Sequence, residues 1–166
     1  MPPVVVGGAL VIPCGLMNKL TGRVDTFTAD AMARRKIELA AMKAVMNIET
    51  SLGFIPRDVS AAKCGYDVES QIPREKRDIS GATLRFIEVK GRSAGADTVT
   101  VSKNEILTAF NKPDEYILAI VEIDGANTKT VYLKKPFRER PDFAATSVNY
   151  NIAELVGGSE ILLARG

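Results

Sequence analysis

Phe86-Ile87-Glu88-Val89-Lys90-Gly91 closes an apolar run that begins at Thr83 and reads as a β-strand. Side chains alternate along a strand, so Glu88 and Lys90 point one way and Val89 enters the opposite layer. An acid and an amine therefore share one surface. Upstream, Gly65 to Gln71 is a second candidate strand, with Asp67 at its start. If the two strands are neighbours, two carboxylates and an ammonium converge, which suits a divalent cation held beside a phosphodiester.

Working outward, Thr28 or Asp30 caps a helix from about Ala31 to Leu52, with Ile37, Ala41, Val45, Ile48 and Leu52 as its apolar stripe and Gly53 as its stop. Before it, Val4-Val5-Val6-Gly7-Gly8-Ala9-Leu10-Val11-Ile12 reads as a hairpin or an arm that packs on a partner. After the Glu88 strand come a strand from Thr98 to Val101 and a helix opened by the capping-box pattern Ser102-Lys103-Asn104-Glu105. Tyr116-Ile117-Leu118-Ala119-Ile120-Val121 is a continuous apolar run, the mark of a central strand covered on both faces. Asp124-Gly125 turns it into a last strand, Thr128 to Leu133. Arg74-Glu75-Lys76-Arg77-Asp78 reads as a solvated hairpin tip. The order α-β-β-β-α-β-β predicts an α/β or α+β domain with a mixed central sheet flanked by helices. This divides the chain into an N-terminal hairpin or arm (1–27), a core domain (28–133) and a basic tail with a short helix (134–166).

With 166 residues, 46% of them hydrophobic, the chain can bury a core without metal or disulfide staples. Cys14 and Cys64 form no CxxC pair and there is no His, so a zinc site and a disulfide framework lack support. The absence of His also excludes Ser-His-Asp triads, Cys-His dyads and histidine general bases within the chain. Carboxylate, lysine and metal chemistry remain. No run of about 18 apolar residues occurs, so neither a membrane span nor a secretory signal is expected, and a cytoplasmic location follows by default. The net charge of +2 neither demands nor repels a nucleic acid.

An acid in the first helix, an Asp on the next strand and Glu-x-Lys on the following one resemble the PD-(D/E)xK nuclease superfamily, with its restriction-endonuclease-like core. The longer pattern of Leu52-Gly53, Gly65-Tyr66-Asp67-Val68-Glu69-Ser70, Phe86 to Gly91, Thr100 to Glu105 and Tyr116-Ile117-Leu118 resembles the C-terminal domain family named after the plant protein NO VEIN, over about residues 40 to 135. That family is often found at the end of helicase-like and restriction-related proteins. The resemblance implies that Asp67 and Glu88 ligate Mg²⁺ (or Mn²⁺), with the Val89 carbonyl as a further ligand. It implies that Lys90 orients the attacking water or offsets charge on the phosphate, and that Glu49 holds a metal-bound water. Glu38, on nearly the same helix face, is the substitute for Glu49. The superfamily's Pro before the Asp is replaced here by Tyr66.

The structural alternative is that Asp67 is a turn residue and that Glu88 and Lys90 form an ion pair on a solvated face. Glu105 is read first as the N3 residue of its capping box and second as a contact near the metal site. Arg92, Lys103 and Asn104 are the candidate nucleic-acid contacts, the last two because the start of a helix favours a phosphate. The expected function is a metal-dependent nuclease-fold domain acting on DNA, within a helicase-like or defence-related parent protein. The alternative is a silent DNA-binding or protein-coupling module. A homodimer would supply the two sites needed to cut both strands of a duplex.

Overall fold

The computed structural model describes residues 26–77 and 81–166, with side chains from residue 31 onward. It divides into two units, Met1–Lys36 and Ile37–Gly166. Of the first, only the opening turns of helix α1 (Thr26–Ser51) are described. The expected hairpin from Val4 to Ile12, and Cys14, lie outside the described residues.

In the second unit, α1 is followed by strands β1 (Ile55–Asp58), β2 (Val68–Gln71), β3 (Leu84–Ser93) and β4 (Thr98–Ser102). Helix α2 (Lys103–Asn111), β5 (Tyr116–Asp124), β6 (Asn127–Lys134), β7 (Ser147–Asn151), α3 (Ile152–Gly158) and β8 (Glu160–Arg165) complete it. Six strands form one sheet in the order β1-β2-β3-β5-β6-β8, and β4 pairs with β7 in a second, two-stranded sheet. The larger sheet is mixed: β3 and β5 run parallel, and every other neighbouring pair is antiparallel. Parallel neighbours need a crossover, and β4 with α2 supplies it. The domain is therefore the expected mixed α+β fold. Residues 134–166 contain the expected short helix and also two strands, β8 on the edge of the main sheet and β7 against β4.

Strand β5 explains why one sheet has two cores. Tyr116, Leu118 and Ile120 point to a layer with Val99, Val101, Ile106, Leu133 and Leu155. Ile117, Ala119 and Val121 point to the other, with Ala41, Val45, Val68, Ile87 and Tyr132. Helix α1 covers the second layer and α2 the first. Along α1 the buried line is Ala41, Val45 and Glu49, one residue per turn, so a carboxylate stands where the periodicity would put an apolar side chain. The closest approach is at Gly91. A Cβ there would lie 2.9 Å from Ala41 Cβ and 3.0 Å from the Ile37 carbonyl oxygen, so only glycine lets this helix sit on β3. No described helix is long and apolar enough to cross a membrane.

Candidate functional site

The pairing of β2 with β3 ends at Val68 opposite Ile87, and the next β2-side residue is Asp67. Its N–H donates to the Ile87 carbonyl at 2.9 Å, prolonging the ladder by one bond. Its carboxylate then does what a further backbone carbonyl would do: Asp67 Oδ2 accepts the Val89 N–H at 3.1 Å. A residue's N–H and C=O lie on the same edge of a strand, so the Val89 carbonyl faces the gap where β2 has ended. Gly65, at φ +91°, makes the approach to this strand, and a Cβ there would collide with the Thr108 hydroxyl of α2.

On β3, Phe86, Glu88 and Lys90 face the α2 layer, as alternation requires. Lys90 Nζ lies 2.7 Å from Glu88 Oε1 and 2.6 Å from Glu105 Oε2. Glu105 is fixed in turn by its own helix. Its Oε2 accepts the Ser102 N–H at 3.0 Å while its N–H donates to Ser102 Oγ at 3.3 Å, a complete capping box. One carboxylate thus caps α2 and grips the lysine of β3. The cap reading of Glu105 holds, and the same Oε2 that closes the cap also meets the Lys90 ammonium, a second use that spacing alone does not reveal.

Ser60, Lys63, Gly65, Tyr66, Asp67, Glu88, Ser102, Asn104 and Glu105 line a cleft of about 190 Å³. Asp67, Glu88 and Lys90 are therefore brought together, with Glu105 as a fourth member. Burial pushes the Glu88 carboxyl up to about 8, the Asp67 and Glu105 charges adding to the rise and Lys90 opposing it. Burial likewise raises Asp67, against the Val89 N–H and Lys90. For Lys90 burial works downward, yet Glu88 and Glu105 outweigh it and its pKa rises. Beneath them the buried Tyr116 hydroxyl has no hydrogen-bond partner, and burial plus the three carboxylates raise its pKa well above the ordinary value. Tyr116 is a member of the site that the apolar run around it conceals.

Glu49 does not join them. It faces the opposite layer, 3.3 Å from Arg85 Nη2 and fully buried. Burial raises its pKa, while Arg85 and the nearby hydroxyls of Ser70 and Tyr132 pull it down. Neither carboxylate oxygen nor either hydroxyl completes a hydrogen bond of good geometry. The expectation that Glu49 holds a metal-bound water fails on side: it and Arg85 lie on the α1 face of the sheet, whereas Glu88 and Lys90 lie on the α2 face. Glu38 is exposed.

The expected nucleic-acid contacts are engaged within the fold. Arg92 donates through Nε to the Thr98 carbonyl and through Nη1 to the Gly91 carbonyl. Asn104 Nδ2 lies 3.4 Å from the Lys63 carbonyl, and Lys103 Nζ lies 2.6 Å from the Phe143 carbonyl. Asn104 nonetheless lines the cleft, and Lys103 precedes it at the start of α2. Cys64 is an exposed free thiol.

Among the described residues no group of three or more Asp, Glu, Cys or His side chains is arranged to hold a metal ion. Mg²⁺ asks for less, one or two carboxylates with the remaining positions filled by water or substrate oxygens. Asp67 and Glu88 are two carboxylates lining one cleft.

Residues 37–133 match the family model described as protein NO VEIN, C-terminal. No curated protein and no solved structure matches the chain.

Proposed function

We propose, from the premise that this chain belongs to the NO VEIN C-terminal family, that it is a nuclease-fold domain holding a nucleic-acid phosphodiester against a divalent cation and hydrolysing it. The observation that carries the reading is the convergence of Asp67 and Glu88 on one cleft beside the start of β2, with Lys90 bridging Glu88 to Glu105. Asp67, Glu88 and the Val89 carbonyl would hold Mg²⁺ or Mn²⁺. When bound, such an ion withdraws charge from the phosphate and acidifies a coordinated water. Lys90 carries an ammonium that two carboxylates keep charged, available to oxygens on which negative charge builds. Asp67 is pre-oriented by the Val89 N–H, so the acid needs little rearrangement to act. DNA is the expected polymer, and a helicase-like or defence-related protein the expected parent.

A second reading, a silent clamp or coupling module, draws on the Lys90 bridge itself. An ammonium shared between Glu88 and Glu105 is a closed ion triad that needs no metal. One experiment separates the two: cleavage of end-labelled single-stranded and duplex DNA under Mg²⁺ and Mn²⁺, with Mn²⁺ affinity measured by calorimetry. The nuclease reading expects cleavage that Asp67→Ala, Glu88→Ala and Lys90→Ala each reduce by at least about a hundredfold. Absence of both cleavage and Mn²⁺ binding in the native chain would leave the silent module.

A further inference from the structure

Phe143 is 95% exposed, far more than any other large apolar side chain among the described residues. Its backbone is nevertheless tightly held. Asp142 Oδ1 accepts the Ala144 N–H at 2.9 Å, and the Asp142 carbonyl accepts the Ala145 N–H at 3.1 Å, closing a turn around Phe143. Lys103 ties that turn to α2 at two points, its Nζ reaching the Phe143 carbonyl at 2.6 Å and its N–H donating to the Thr146 carbonyl at 2.9 Å. The same ammonium stands 5.0 Å from the centre of the Phe143 ring.

Displaying an aromatic ring on an ordered turn gains the fold little beyond the contact with Lys103, because the ring buries almost no area. The position of the turn gives it a use. Lys103 sits between Ser102 and Asn104, both of which line the acid and lysine cleft. The turn that carries the ring is therefore bonded to a residue flanked by two that line the cleft, and it has a cation beside it. The turn also follows the basic stretch Lys134-Lys135-Pro136-Phe137-Arg138-Glu139-Arg140. Cations tracking a backbone beside an exposed aromatic are the two parts of a single-strand binding site, in which bases stack on the ring without regard to sequence. Bases inside a duplex are already stacked, whereas unpaired ones are free to lie on a protein ring.

We propose that Phe143 is a nucleobase-stacking residue and that the substrate class of the cleft is single-stranded or locally unpaired nucleic acid. The inference rests on the reading of the cleft as a phosphodiester site, but it concerns binding and does not require cleavage.

The chain contains no Trp, so Phe143→Trp places a single indole at the ring position. Titration of this variant in EDTA with oligo-dT should quench its fluorescence to saturation, while an abasic oligonucleotide of equal length and charge should not. Phe143→Ala, whose melting temperature should match that of the native chain, should bind oligo-dT more weakly by on the order of tenfold and the abasic strand unchanged. Equal affinity of the native and Phe143→Ala chains for oligo-dT would overturn the proposal, and is the outcome expected of a protein-docking aromatic. Quenching that the abasic strand reproduces would also overturn it. Failure of the nuclease reading shows differently: saturable, base-dependent quenching in a chain that cuts nothing would remove catalysis and leave the stacking role standing.

Discussion

Lys90 bridges Glu88 and Glu105 at 2.7 and 2.6 Å, and of the two Glu88 is the more buried, at 3% exposed. Removing the ammonium leaves Glu105 without its counter-charge and favours the protonated form of Glu88, a loss of charged hydrogen bonds that costs about 1.5–3 kcal/mol. Lys90→Ala should accordingly melt several degrees lower, and Mn²⁺ should raise its melting temperature more than that of the native chain, because a divalent ion restores the lost charge. Thermal melts with and without Mn²⁺ check both, and equal Mn²⁺ shifts would sink the metal assignment. Glu88 also makes stability depend on pH. Its folded pKa of about 8 stands above the ordinary glutamate value of 4.5. Between those values the native state retains a proton that the unfolded chain has released, so stability falls as pH rises through this window and levels off above about 8. Urea titrations from pH 5 to 9 should show that decline, and Glu88→Gln should reduce it, the raised carboxyls of Asp67 and Glu49 contributing the remainder. The placement of Glu88 and Lys90 on one face is legible from alternation alone. The side of the sheet on which Glu49 lies is not, since helical periodicity says which residues face inward but not which face of a sheet they cover.

At the scale of elements, the seat of α1 on the sheet depends on two contacts of opposite character. At Gly91 the helix approaches so closely that an added methyl meets Ala41 Cβ and the Ile37 carbonyl, neither of which is the end of a flexible chain. Gly91→Ala should therefore lower the unfolding free energy by about 1–3 kcal/mol, as overpacking does, which urea melts would measure. One helical stretch further on, Glu49 and Arg85 pair inside the same layer, with Arg85 also packed against the rings of Phe54 and Tyr132. The ends of the fold resist reading from sequence for identifiable reasons. Strand β1, Ile55-Pro56-Arg57-Asp58, is short, carries a proline and is mostly exposed. Strand β8 shows no alternation in burial, and its pairing with β6 slips between Tyr132 and Leu133. Both are edge strands, whose partners and not their own patterns make them strands. Strand β5, buried on both faces, is legible without any partner.

For the whole molecule, 22 basic and 20 acidic residues nearly cancel, so nucleic-acid affinity depends on which cations remain uncommitted. Arg92 is spent on the Thr98 and Gly91 carbonyls, and Lys135 on Glu160 at 3.2 Å. Lys63, exposed at the cleft, and Arg138 and Arg140, exposed on the segment leading to Phe143, are free of ion pairs with described residues. About three phosphate contacts should then form at once, and the slope of log K against log salt should be about −2 for a single strand and about −2.7 for a duplex. Charge reversal should sort the cations by position. Lys63→Glu and Arg138→Glu should each flatten the slope by roughly one contact, whereas Arg92→Ala should leave it unchanged and only loosen the turn after β3. Fluorescence anisotropy over a salt series measures all of these with one labelled oligonucleotide. A slope near zero would mean that no phosphate backbone is tracked, and the cleft with its acid cluster would then have to be read as part of a surface for another protein.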